Sequence, residues 1–464
     1  MAKYIKNSKT NKAAGCDNLK PTFLQKGGES LFSSLCCMFN QSVKSSSFPA
    51  SLKMADISPL FKKKDPLCKN NYRPVNVLTV ISKLFERILS DQLTAYFIHI
   101  LNCSLSAYKK GYSCQHVILQ MTEYWRNCLD NGDTVSTVAM DLSKAFDCMP
   151  HGLLVAKLFA YGLSINACNL VINYLCDRRQ RVKVRGGFSE LSIINRGVPQ
   201  GSVLGPLLFN IFMNDIFYSD IGSNIYNYAD DNHLCTHNKC VSSVITLIES
   251  DSEKAISWFN DNDMDANADK FQFLAMDRNG LVPSSISVQG HTIPSCDNIN
   301  VLGITLDSKL KFNEHISKIC TKASRQINAL KRISKHLNEE SRLQIFKTFI
   351  ASNFTYCPIT WMFCGKKNSR KLEKIQERAL RFVYNDKISP YIDLLRRGNF
   401  LSLSALRIRF LAIEMYKCTN SLAPSYLCDL FKPRAVKYNF RDPFRLIQPE
   451  FNTIRFGYKF FTYY

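Results

Sequence analysis

Two adjacent carboxylates, Asp230 and Asp231, sit in the tetrad Tyr228-Ala229-Asp230-Asp231, within a segment (225–234) whose short apolar runs each read as a β-strand. A hairpin turn holding two acids side by side can collect divalent magnesium, because hard cations want carboxylate oxygens beside substrate phosphates. A solvated turn is the competing reading, since Asp is also a common turn residue. A third carboxylate on a matching strand would separate the two readings. Residues 134–142, TVSTVAMDL, form a β-branched run ending in Asp141. A strand that delivers one acid at its end, beside a hairpin with two more, suits two metals roughly 3.5–4 Å apart for in-line phosphoryl transfer. Taken alone, Asp141 reads better as a strand-terminating acid or a helix N-cap.

Between the two acidic segments lies Gly197-Val198-Pro199-Gln200-Gly201-Ser202-Val203-Leu204-Gly205-Pro206. Three glycines and two prolines make a backbone that approaches a ligand closely and stays rigid around Gln200. The order of acid strand, Pro-Gln-Gly loop and Tyr-Ala-Asp-Asp resembles the reverse transcriptases of non-LTR, LINE-like and jockey-like, retrotransposons. The resemblance extends to Tyr72-Arg73-Pro74-Val75, to the stretch from Tyr108-Lys109-Lys110-Gly111 to Gln115-His116, and to Trp258-Phe259 leading to Asn267-Ala268-Asp269-Lys270. It continues through Val301-Leu302-Gly303-Ile304-Thr305-Leu306-Asp307 and Leu422-Ala423-Pro424-Ser425-Tyr426-Leu427, and covers about residues 12–430.

The resemblance implies an RNA-directed DNA polymerase that extends a DNA primer 3′-hydroxyl with deoxynucleoside triphosphates on an RNA template. It assigns Asp141, Asp230 and Asp231 to catalysis and, with the Leu142 carbonyl, to two Mg²⁺ ions, for which Mn²⁺ is the expected substitute. Arg73, Lys62, Phe146, Gln200, Gly201 and Lys270 would contact the nucleotide. Phe146 matches the bulky aromatic that excludes a ribose 2′-hydroxyl, although a core Phe in a strand-to-helix turn explains it as well. Lys270 would protonate or neutralise departing pyrophosphate, with a solvated lysine nearly as good a reading. Lys109, Lys110, Lys318, Lys322 and Arg325 would hold the nucleic-acid backbone. The chain departs from the pattern at Ala268, where a proline is usual, and at Phe271, where a small polar residue is usual. The endonuclease-like region and Cys/His knuckle of such elements are expected to be separate or missing. A catalytically inactive nucleic-acid-binding remnant is the alternative, and retention of all three acids argues against it.

Composition agrees with a polyanion partner. Sixty Lys and Arg against 38 Asp and Glu leave a net charge of +22 over 464 residues, enough to attract nucleic acid by long-range steering. The 46% hydrophobic content supplies sizeable cores and excludes a disordered tail. The 18 cysteines lack paired Cys-x-x-Cys spacing and read as reduced thiols of an intracellular protein, nucleus or cytoplasm undetermined. Cys235, His237 and Cys240 suggest zinc, but a fourth ligand is not evident, and an ordinary strand end is the stronger reading. No run approaches the apolar length that spans a bilayer, so no membrane partner is expected.

The elements that must position these residues give an α+β class, a right-hand polymerase with fingers, a palm of antiparallel sheet backed by helices, and a helical thumb. Fingers are expected over 1–130, with helices near 19–43 and 77–96, the second carrying its alternating charges on the face away from its apolar stripe. The palm is expected over 131–312, with some fingers elements interleaved. It holds a helical stretch at 153–175, short strands at 181–184 and 193–194, the acid hairpin, a long helix whose stripe is Val241, Val244, Ile248, Ala255 and Phe259, and strands at 271–276 and 286–288. The region 313–430 reads as thumb, with Ile316, Ile319, Ala323, Ile327 and Leu330 on one face and Lys318, Lys322 and Arg325 on another. The basic, aromatic tail 431–464 has no clear period.

Overall fold

The computed structural model describes all residues except 144, 281, 433–445, 448–449 and 454–464, and only the backbone of Ser143. Most of the tail that sequence left unassigned lies outside the described residues. The chain is a mixed α+β protein of two compact, interleaved units. The first comprises Met1–Tyr108, Asp141–Ile221 and Lys254–Asn267, and the second Lys109–Met140, Gly222–Glu253 and Ala268–Tyr464.

The first unit is built on a sheet whose strands Arg178–Val184 and Ser192–Ile194 answer the short strands expected at 181–184 and 193–194, and whose other main strands local sequence patterns do not reveal. Strand Met54–Phe61 pairs antiparallel with Tyr72–Leu78, with Pro59 opposite Pro74, and parallel with Arg178–Val184, with Ile57 opposite Val182. Its sequence, MADISPLF, hides the strand because it alternates only over 55–58, and Pro59 within the run argues against a strand. Asp56 is nonetheless buried, and its Oδ1 accepts from Arg181 Nε at 2.8 Å. The expected helix over 19–43 is two helices, Pro21–Lys26 and Gly28–Lys44, parted where Gly28 takes φ 68°. The expected helix over 153–175 is also two, His151–Ala160 and Ile165–Leu175. Gly162 at φ 87° ends the first, and the Ser164 side chain caps the second. Helix Val80–Phe97 forms as predicted, capped by Thr79. Phe85 on this helix stacks on Phe39 and Phe48, with centroids 4.4 and 5.1 Å away. One expectation for this helix fails: Glu86, counted among its solvent-facing charges, is fully buried.

The second unit holds a sheet of strand order Gln272–Met276, Thr134–Ser143, Asp231–Asn238, Asn224–Tyr228. Val138 lies opposite Phe273, and Tyr226 opposite His233. Residues Asp141–Ser143 of the long strand belong to the first unit, where Leu142 pairs with Ala266. Helix Cys114–Asp130 packs Val117, Ile118, Met121, Trp125 and Leu129 into one core with Val135, Tyr226, Cys235 and Leu274. Two further hairpins follow, Ser285–Val288 with His291–Pro294 and Asn298–Val301 with Ile304–Asp307. Their two-residue turns, Gln289-Gly290 and Leu302-Gly303, have positive φ throughout, the twist that hairpins favour. From Asn313 to Cys428 the described residues are helical between turns. Helix Asn313–Ile333 buries Ile316, Ile319, Ala323, Ile327 and Leu330 as its period predicts.

Candidate active site

The acid hairpin is a strained turn under restraint. Tyr228 pairs with Asp231, leaving Ala229 and Asp230 as its two central residues. Ala229 stands at φ 57°, a region that costs an L-residue about 1–2 kcal/mol. Two asparagines hold it there. Asn227 Nδ2 donates to the Ala229 carbonyl and to Asn232 Oδ1, each at 2.8 Å, and Asn232 Nδ2 donates to the Asp230 carbonyl at 3.2 Å. Both asparagines are about 1% exposed, whereas Asp230 and Asp231 face solvent. Neither asparagine was singled out from sequence, although the pattern Asn-Tyr-Ala-Asp-Asp-Asn, an amide on each side of a turn, is the available signal. Asp141 is likewise exposed, one residue past the buried Met140 and before the buried Leu142. Each of the three is an exposed carboxylate, the hard oxygen donor that a Mg²⁺-class cation takes.

In the first unit, the strand-to-helix turn after Asp141 and the Pro-Gln-Gly loop are bonded to one another. Phe146 is half-buried, stacked on Phe209 at 4.2 Å and 16°, and edge-on to Tyr108 at 6.0 Å. Gly197 and Val198 donate their backbone N–H groups to Met149 and Phe146 carbonyls at 2.7 and 3.0 Å. Gly197 has φ 75°, and a Cβ there would meet the Phe146 carbonyl oxygen at 2.5 Å. Gln200 Nε2 donates to Asp147 Oδ1 at 2.9 Å, and its carbonyl accepts from Asn76 N at 2.7 Å. A Cβ on Gly201, at φ 105°, would come within 2.8 Å of the Asn76 carbonyl oxygen. These two glycines are required because backbone passes where a side chain would be.

Behind the loop, Glu86 Oε2 accepts from the Val203 and Leu204 N–H groups at 2.7 and 3.2 Å, while Oε1 accepts from Ser82 Oγ at 3.2 Å. Burial pushes the Glu86 carboxyl above its ordinary pKa, opposed by the nearby Arg178 charge and by these backbone donors. Sequence reasoning missed Glu86, Asp147 and Asn76, because their partners are distant in the chain.

The predicted cations fall into several settings. Lys62 and Arg73 are exposed at the far end of the same antiparallel pair, where Leu60 faces Arg73 and Lys62 N donates to the Asn71 carbonyl at 2.8 Å. In the second unit, Lys270 is exposed at the end of the short turn Ala268–Lys270, where the departures Ala268 and Phe271 are both buried. Lys109 lies over the Tyr112 ring at 4.8 Å, and Lys110 is exposed. Lys318 bonds Glu314 Oε1 at 2.7 Å and Thr305 Oγ1 at 3.1 Å, so part of its charge is already answered. Lys318 and Lys322 line a cavity of about 490 Å³ with Thr305, His315, Asn353 and Tyr356. Arg325 is exposed. Among the described residues no helix is long and apolar enough to cross a membrane.

Comparison with known proteins adds the following. Residues 61–306 match the family described as reverse transcriptase (RNA-dependent DNA polymerase). The probable RNA-directed DNA polymerase from transposon BS of Drosophila melanogaster is 26% identical over 404 residues, covering 82% of this chain and 44% of that protein. The RNA-directed DNA polymerase from mobile element jockey of the same fly is 26% identical over 396 residues, covering 80% and 42%. The chain thus spans less than half the length of the curated relatives it matches. Among solved structures, apo telomerase from Candida tropicalis truncated from its C-terminal domain aligns with a TM-score of 0.39 and 13% identity, over 61% of this chain and 59% of that one.

Proposed function

Since the chain belongs to the reverse transcriptase family and its relatives are polymerases of non-LTR retrotransposons, we propose that it is an RNA-directed DNA polymerase. Its substrates on this reading are an RNA template, a DNA primer and deoxynucleoside triphosphates. The observation that carries the reading is the Asp230-Asp231 tip, exposed, backbone-restrained and set in a chain that also offers Asp141 at a strand end.

Asp141, Asp230 and Asp231, with the Leu142 carbonyl, would hold two Mg²⁺ or Mn²⁺ ions. When bound, such ions make the primer hydroxyl a better nucleophile and neutralise the leaving phosphates. The carboxylates bind and orient. Their fixed backbone means that little reorganisation is needed as charge develops, which is the basis of electrostatic catalysis. Arg73 and Lys62 supply charge for triphosphate oxygens. Gln200 and Gly201 form a stiff edge for the nucleotide, stiff because the loop backbone is tied to Asn76, Phe146 and Glu86. Phe146, backed by Phe209, is a wall against a ribose 2′-hydroxyl. Lys270 would deliver a proton or charge to pyrophosphate. Lys109, Lys110, Lys318, Lys322 and Arg325 would follow the phosphate backbone of template and primer.

In this scheme residues 1–130 serve as fingers, 131–312 as palm with fingers elements interleaved, and 313–430 as thumb. Primer extension on an RNA template with Mg²⁺ tests the proposal. Deoxynucleotide-dependent product that disappears in Asp230→Asn supports it, whereas RNA binding without product from either deoxy or ribo substrates would leave a non-catalytic binding protein.

A further inference from the structure

His237 has neighbours of metal-ligating type that chain proximity does not suggest. Among the described residues, Cys128 Sγ, an Asp133 carboxylate oxygen and a His237 ring nitrogen all lie within 4.8 Å of one another. Cys235 and Cys240, its neighbours in sequence, are occupied differently. Cys235 is fully buried with Sγ 3.2 Å from Thr137 Oγ1, and Cys240 is exposed beyond the strand with Sγ 3.0 Å from Ser242 Oγ.

The three groups are brought together by defined local structure. Helix Cys114–Asp130 ends with Gly132 at φ 82°, Gly132 N donating to the Leu129 carbonyl at 3.2 Å and Asp133 N to the Cys128 carbonyl at 2.9 Å. This paired bonding is a Schellman stop, and it fixes Asp133 beside Cys128. Strand Asp231–Asn238 neighbours the strand that begins at Thr134 and supplies His237. The His237 Nε2 lies 3.6 Å from Asp133 Oδ2, and Nδ1 lies 2.7 Å from the Tyr124 hydroxyl. Tyr124 is one helical turn before Cys128. With Nδ1–H donated to the Tyr124 oxygen, the Nε2 lone pair is left on the Asp133 side, the outer-shell arrangement that orients metal-bound histidines.

We infer that Cys128, Asp133 and His237 form a binding site for a single Zn²⁺-class cation, with Tyr124 orienting the imidazole. Thiolate, carboxylate and neutral imidazole together carry two negative charges, matching a divalent ion. The mixed S, O, N set selects zinc or cobalt over Mg²⁺, which prefers oxygen alone. Three protein ligands leave a fourth tetrahedral position open to water. Cys128 is 3% exposed and the Asp133 side chain 13%, so the ion would be shielded on the protein side and open at His237, 44% exposed. Its effect would be to staple a helix end to the strand whose other end is Asp231.

The test is titration of the full chain, stripped with chelator, by Co²⁺ alone. Expected are a single bound Co²⁺ with thiolate-to-cobalt charge-transfer absorption in the near ultraviolet, bleached when Zn²⁺ displaces it. Cys128→Ser should lose the band, and the exposed-side variant His237→Ala should weaken binding with circular dichroism unchanged. Tyr124→Phe should keep the band at about ten- to hundredfold weaker affinity. Absence of the band in the natural chain, or a band that survives Cys128→Ser and vanishes in Cys240→Ser, would overturn the assignment.

Discussion

At the scale of single residues, the amides beside the acidic tip deserve as much weight as the acids. Replacing Asn227 by Ala strips the Ala229 carbonyl of its donor and Asn232 of its partner. Leaving a buried polar group unsatisfied costs about 1–3 kcal/mol, so Asn227→Ala should lower the urea midpoint, and primer extension should slow more than binding of the RNA template weakens. Phe146→Ala should raise ribonucleotide incorporation relative to deoxynucleotide. Unchanged sugar discrimination in extension assays would show that the Phe146 ring, stacked on Phe209, is core alone. The Asp230-Asp231 hairpin was legible as two short apolar runs around a turn, but because Asp is common in turns its reading as a metal site came from the order of Asp141, the Pro-Gln-Gly loop and the tetrad, and from the family resemblance. Asn227 and Asn232 were not, because an Asn near a turn is common and its hydrogen-bond direction is unreadable from order alone.

At the scale of elements, local patterns located helices that bury a stripe and several strands, among them those near 181–184 and 271–276, but not the pair Met54–Phe61 and Tyr72–Leu78. The helices Val80–Phe97 and Asn313–Ile333 and the hairpin Asn224–Tyr228 with Asp231–Asn238 appear where their patterns place them. The strand Met54–Phe61 did not announce itself, since its parallel partner lies more than a hundred residues on and its buried Asp56 finds Arg181 there. Glu86 was misread for the same reason: its buried partners, Val203 and Leu204, come from a loop far along the chain. Glu86→Leu should therefore destabilise the first unit by about 1–3 kcal/mol for each N–H left unpaired. Glu86→Gln retains an acceptor oxygen and should recover much of that loss in a denaturant titration, with nucleotide KM restored in parallel.

At the scale of the whole molecule, two buried imidazoles set an acid limit. Burial lowers the His233 pKa to about 4, against a small upward pull from its bond with the Tyr226 backbone. Burial, then the Lys318 charge, lowers His315 to about 4 as well. Unfolded, both titrate near 6.5. Their contribution is complete above about pH 6.5 and is lost as pH falls toward about 4, because there the unfolded chain binds protons that the fold refuses. Protonating carboxylates on a chain of net charge +22 adds self-repulsion in the same direction. Urea midpoints should be level above about pH 7 and fall below about pH 6, with a shallower fall in the double variant His233→Gln, His315→Gln.

The interleaving of the two units also dictates an order of events during synthesis. Domains close as units while the chain emerges, yet the first unit lacks its last piece, Lys254–Asn267, until two segments of the second, Lys109–Met140 and Gly222–Glu253, have already been made. That last piece carries Phe259, fully buried, and Ala266, the ladder partner of Leu142. A nascent chain halted at Ile221 is therefore open in both units at once, with apolar surface waiting on residues not yet translated. One halted at Asn267 holds every residue of the first unit and only about a quarter of the second.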